Sequence, residues 1–212
     1  MVSEATVNEF RDRYPWGSWA VWDDEFPEGD CVEKTPDEVA DFIVDHSPDL
    51  RTDVVMLGLN RSDDLPAPFV NFHSPSGNHY DYRLKEYIQD GGLARLQGAY
   101  MTDLVDEIDP DSSNITVTDE DARLFEKQAA LLGDNEIHVI CFGNKPFQGL
   151  IEYYDLEESH LEPEIRYASV DRGEFELHLY RVWFYGLYGA NQDKVETVER
   201  QLGVLNRRVA QE

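Results

Sequence analysis

Asn60 closes the apolar run "DVVMLGLN" (53–60). An amide at a strand end can position a water or a substrate, since it offers donors and acceptors together. As a plain turn residue the same Asn tolerates left-handed backbone geometry, and spacing alone leaves both readings open. Phe69 and Phe72 follow in a polar, Pro-containing loop. There a ring either packs into the core or stacks on a nucleobase, a contact that contributes ~1–3 kcal/mol. Asp103 and Asp106 are three apart, as on many solvated turns. Asp103 falls at the end of the strand expected in "GAYMTDLV" (98–105), which makes it the better placed of the two.

Several chemistries find no support. His73 and His79 are metal-ligand types, but no compact His/Cys/carboxylate cluster accompanies them, so no metal is expected. The chain has no P-loop or GxGxxG phosphate cradle, no nucleophile elbow, no HExxH and no paired-cysteine zinc motif. Cys31 and Cys141 are too few for a disulfide framework or a four-cysteine iron–sulfur cluster. Nothing implies a cofactor.

Alternating elements must position these residues. Helices are expected from "SEATVNEFRDRYP", from "TPDEVADFIVDHSPDL", where Thr35 caps and Pro36 starts, from "YDYRLKEYIQDGG", and from residues 118–133, capped by Thr118 and ended by Gly133. A short helix is expected in "FQGLIEYYDL". A last amphipathic helix carries Val195, Val198, Leu202 and Leu205 on one face. Buried strands are expected at 53–60, 98–105 and 136–144, with one or two more in 175–189. Trp16, Trp19 and Trp22, spaced by three, predict a helical turn or extended segment on the core. Strand and helix alternating in this way predict an α/β fold with a mostly parallel sheet covered on both faces. Ligands bind beyond the carboxyl ends of such strands. The exits after Asn60, at Thr102–Asp103, at Gly143–Asn144–Lys145 and after Tyr185 are therefore the places to expect function.

The 212 residues suit one domain, because no linker, repeat or low-complexity tract divides them. Residues 1–50 read as a helical, Trp-rich N-terminal extension of it. No apolar run approaches the ~18 residues of a membrane span, and "MVSEATVNEF" does not resemble a targeting peptide. A cytoplasmic monomer is expected. The net charge of −26 comes from 44 acidic against 18 basic residues, only five of them Lys, while 41% hydrophobic content argues for a packed core over disorder. This balance resembles proteins of salt-loving archaea. At ~1 M salt the Debye length is about 3 Å, so acidity there does not exclude nucleic acid as a partner.

Four segments then share an order: "LGLN" ending at Asn60, "FHSPSGNHYDYRL", "GAYMTDLV" and "HVICFGNKPF". Over roughly residues 53–150 they resemble the uracil-DNA glycosylase superfamily, most closely its mismatch-specific and thymine-DNA glycosylase branch. The resemblance implies a three-layer α/β/α sandwich with a short central, mostly parallel sheet. It also implies hydrolysis of the N-glycosidic bond of a damaged or mismatched base flipped out of the stack. On that likeness Asn60 holds the attacking water and Phe72 stacks on the base. Asp103, a carboxylate where the family carries an amide, meets the base edge; Asn78 lies in "PSGNHY", which follows Phe72 and resembles the family's Pro-Gly-Asn-Arg-Phe-like stretch. Backbone amides near Gly58 and Arg61 stabilise charge on the departing base. Arg61 and Ser62 replace the family's Pro and Gly, and no late His-Pro-Ser or Ser-rich loop is evident. Tyr185, Tyr188 and Asn191 stand where its contacts would be made. The implied partner is single- or double-stranded DNA, or a free nucleobase or nucleotide. Two other functions fit the same residues: a non-catalytic nucleotide or nucleic-acid binder of this fold, and an unrelated α/β enzyme acting on a small nucleotide or metabolite.

Overall fold

A computed structural model describes residues 2–22, 36–65, 67–73, 80–161, 164–186 and 192–209. Helix α1 (Glu4–Arg13) starts at Ser3, whose side chain accepts from the Thr6 amide. Strand β1 (Ser18–Trp19), helix α2 (Pro36–Asp45) and a 3-10 turn (Ser47–Asp49) lead to β2 (Val54–Arg61). Helix α3 (Tyr82–Lys85) runs on as a π-helical turn (Glu86–Asp90). Next come β3 (Tyr100–Ile108), α4 (Asp119–Leu132), β4 (Glu136–Phe142), α5 (Asn144–Tyr154), the strands β5 (Ser159–Leu161), β6 (Ile165–Asp171) and β7 (Glu176–Val182), and α6 (Gln192–Arg208).

Local chemistry explains the sharpest boundaries. Thr118 and Asp121 form a reciprocal capping box at the start of α4, and Gly133 ends it at φ 74°. Helix α5 begins earlier than the expected "FQGLIEYYDL", at Asn144. Gly143, at φ 98°, turns the chain directly from β4 into the helix, and Pro146 sits in the first turn, where no N–H is owed to the ladder.

The fold is α/β. One seven-stranded sheet has the order β1-β3-β2-β4-β7-β6-β5. Its four central strands, β3, β2, β4 and β7, are mutually parallel. The flanks β1, β6 and β5 are antiparallel. The parallel centre follows the alternation of the sequence; the antiparallel flanks depart from it. β6 reads as no strand in sequence because it has exposed and half-buried positions without a continuous apolar run.

Each sheet face is covered, giving three layers. On one, Phe10 of α1, Ile43 of α2, Phe125 of α4 and Phe147 of α5 pack on Val55, Leu57, Val139 and Leu177. On the other, Leu84 of α3, Ile88, and Val198, Leu202 and Leu205 of α6 pack on Val54, Met56, Ile140 and Tyr180. Cys141 is a buried small hydrophobe whose thiol pKa is pushed up by that burial. Cys31 lies outside the described residues. Among those residues no helix is long and apolar enough to cross a membrane.

The Trp-rich stretch belongs to this core. Trp19 is fully buried, and its strand pairs with β3 through Ser18–Met101 and Trp19–Tyr100.

Candidate functional site

Strands β2 and β4 are neighbours, yet their chains leave in opposite directions. β2 feeds the α3 layer, whereas β4 turns into α5 on the other face. Such a parting opens a crevice at the carboxyl ends of the strands. The ladders deepen it: β2 pairs with β4 only as far as Leu57–Cys141, but with β3 as far as Arg61–Ile108. From Gly58 onward the β4 side of β2 is open. A cavity of about 420 Å³ lies there, bounded by residues 58–62, Asn71–Phe72, Tyr80–Asp81, Asp103, residues 142–146 and residues 184–186.

Five of the site residues singled out by sequence, Gly58, Asn60, Phe72, Asp103 and Tyr185, converge here. Gly58 and Asp103 are register partners across β2 and β3. A Cβ on Gly58 would collide with Asp103 Oδ1 and would stand 3.4 Å from Phe72 Cζ. One point therefore sees the carboxylate, the ring edge and the bare backbone. Asn60 lies on the same wall. Its Nδ2 donates to the carbonyls of Arg61 and Asp109, each at 2.8 Å, and more distantly to that of Glu107. The amide thus ties the end of β2 to the chain leaving β3. Its Oδ1 makes no hydrogen bond among the described residues.

Asp103 is only 4% exposed. Burial raises its pKa to about 6, against the opposing pull of the Asn71 hydrogen bond and the Arg61 charge. Asn71 Nδ2 donates to Asp103 Oδ2 and to the Trp16 carbonyl, both at 2.8 Å, which fixes the carboxylate plane. The preceding Thr102 points to the opposite face, where its hydroxyl and that of Tyr100 donate to Gln128 of α4. The strand is pinned on both sides.

The loop carrying Phe72 is strained and braced. Phe69, Phe72 and Tyr80 take positive φ, between 60° and 66°, a conformation that L side chains adopt at a cost. The N-terminal segment holds it. Ser18 Oγ donates to the Phe69 carbonyl at 2.7 Å, and Trp22 Nε1 to the Phe72 carbonyl at 3.2 Å. His73 is buried, with Nε2 3.2 Å from the Trp19 carbonyl and its ring against Trp22. It is part of this brace.

On the far side, Tyr185 donates from its hydroxyl to Asp81 Oδ1 and packs edge-on against Phe142. Burial drives its pKa well up, helped by Asp81 and Asp103. Arg61 continues β2 for one further residue after a register shift, where a Pro would lack the N–H of a strand. It pairs with Asp106 and lies over the Trp16 ring. Lys145 Nζ donates to the carbonyls of Ser112, Ser113 and Ile115.

Asn78, Tyr188 and Asn191, with His79, lie outside the described residues. Among the described residues no group of three or more His, Cys, Asp or Glu is arranged to hold a metal ion. Asn71 and Asp81 were not legible in sequence, since a short polar residue in a loop carries no periodicity. No protein-family model matches the chain, and no curated protein matches it significantly.

Proposed function

We propose that the strand-end cavity binds a nucleobase and that the chain is a glycosylase-like hydrolase of the bond joining a base to deoxyribose in DNA. The observation that carries this reading is the meeting of Gly58, Phe72 and Asp103 at one point of a single cavity, with Asn60 on its wall. A flipped base stacks on an aromatic ring and is read along its edge. Phe72 supplies the ring and Asp103 the edge contact. Asn60 Oδ1, the acceptor left once Nδ2 is committed, accepts a hydrogen bond from the attacking water. The water oxygen bonds to the sugar C1′ as the C1′–N bond breaks, the electron pair of that bond leaves on the base nitrogen, and the proton the water gives up ends on the base. The backbone groups that β2 leaves unpaired on its open side beyond Leu57 face the departing base. The working environment in this reading is a cytoplasm of high salt, where a chain of charge −26 meets DNA with its repulsion screened.

One observation favours a second reading, a base-binding protein without turnover. The Asn60 amide makes three bonds to backbone carbonyls, which is what a purely structural clasp would do.

An incision assay separates the two. Oligonucleotides carrying uracil, hypoxanthine, xanthine or a thymine mismatch, single- and double-stranded, are incubated in ~2 M KCl with wild type and Asn60→Ala. Abasic sites formed by the wild type and lost in the variant support hydrolysis. Binding without abasic sites supports the second reading. Neither binding nor abasic sites would refute both.

A further inference from the structure

We propose that Asp103 sets the selectivity of the cavity, so that it takes a base presenting an amino group, as cytosine does, over one presenting a carbonyl at the same place, as uracil does. The proposal rests on the cavity being a base site and adds which face of a base it prefers.

Most side-chain donors around the cavity are already committed. Asn71 spends both N–H bonds on Trp16 and on Asp103 itself. Asn60 spends its amide hydrogens on backbone carbonyls. The Tyr185 hydroxyl is given to Asp81, the Lys145 ammonium to three carbonyls, and Arg61 Nη2 to Asp106, while Arg61 Nε is buried and makes no hydrogen bond among the described residues. Acceptors remain. Asp103 Oδ2 is engaged by Asn71, while Oδ1 makes no hydrogen bond among the described residues and lies against Gly58 and the edge of the Phe72 ring. A ring stacked on Phe72 brings its edge to that oxygen. An amino group there makes a charge-assisted hydrogen bond; a carbonyl meets a carboxylate head-on, two acceptors without a proton between them. The β4 wall is complementary. Asn144 Oδ1 accepts from Arg166, which leaves its Nδ2 as a donor for a carbonyl elsewhere on the ring.

The groups around Asp103 allow its protonation to be read out. Arg61 of β2 favours the charged form, and Asp106 of its own strand opposes it. Tyr185 and Asp81 stand across the cavity, with the tyrosine neutral and Asn71 uncharged. Protonation turns Asp103 into a donor and inverts its preference.

Calorimetric titration of the full chain with deoxycytidine and deoxyuridine in ~2 M KCl tests this. A hydrogen bond to a charged group corresponds to ~10–100-fold in affinity. At about pH 8 deoxycytidine is expected to bind tighter by at least ~10-fold. The preference should shrink or reverse as pH falls through about 6, and Asp103→Asn should remove both the preference and its pH dependence. The pH series on wild type serves if the variant does not fold. Equal affinity for the two nucleosides at about pH 8, or an unchanged preference in Asp103→Asn, would overturn the selectivity while leaving the base site standing. No binding of either nucleoside up to ~10 mM would remove the base site and the selectivity together.

Discussion

The Asp103 carboxylate occupies the space that a side chain on Gly58 would need, and the two residues are held opposite each other by the β2–β3 register. The glycine is thus the floor of the site. Its value lies in the missing Cβ, since its backbone is ordinary strand.

Gly58→Ala should therefore displace Asp103 from Asn71 and push on the Phe72 ring. Overpacking of this kind costs ~1–3 kcal/mol. Chemical denaturation should show that loss, and nucleoside titration should show binding weakened by more than stability alone explains.

The contribution of Asp103 to stability is larger in acid than at neutral pH. Its folded-state pKa, about 6, lies above the ordinary 3.8. The folded state therefore binds this proton the more tightly. The stability that protonation confers is complete below the unfolded value and is lost as pH rises through about 6. The difference is on the order of 3 kcal/mol. Asp103→Asn should be more stable than wild type at about pH 8, with the gap closing towards about pH 4, as read by urea denaturation across that range.

Ser18 is fully buried and donates to the carbonyl of Phe69, a residue at positive φ. Ser18→Ala leaves that carbonyl without its partner, at ~1–3 kcal/mol. Since the same loop carries Phe72, nucleoside affinity should fall with stability. A variant that lost stability but kept affinity would show that the brace does not act on the site.

Asn60→Asp changes little in shape but sets a carboxylate against three carbonyl oxygens. Three donor bonds are lost and repulsion takes their place. This variant should be destabilised more than Asn60→Ala, by about 2 kcal/mol or more. The comparison is made by thermal and chemical unfolding of both proteins in the same salt.

The sequence displayed most of this fold where physical periodicity is strong. β2 and β4 are continuous apolar runs, and α4 carries its cap in Thr118 and its stop in Gly133. β5 and β6 were hidden because edge strands half exposed to solvent need no apolar run. At the site, Asn60, Phe72 and Asp103 could be singled out because they mark strand exits and the loop after them, and Gly58 through the family resemblance. Asn71 and Asp81 could not, because what places them is tertiary: a carbonyl from Trp16 and a hydroxyl from Tyr185, each far away along the chain. The spacing of Trp16, Trp19 and Trp22 suggested packing, but not that Trp22 would hold the carbonyl of Phe72.

In the proposed function a nucleobase enters between the ends of β2 and β4. Backbone amide resonances, followed while a deoxynucleoside is titrated into the labelled protein in ~2 M KCl, report that entry. The largest shifts are expected on Gly58, Leu59, Asn71, Phe72 and Gly143, and Phe72→Ala should diminish them. Saturable shifts confined to the opposite end of the sheet, around His46 and Arg51, or the absence of any saturable shift, would contradict it.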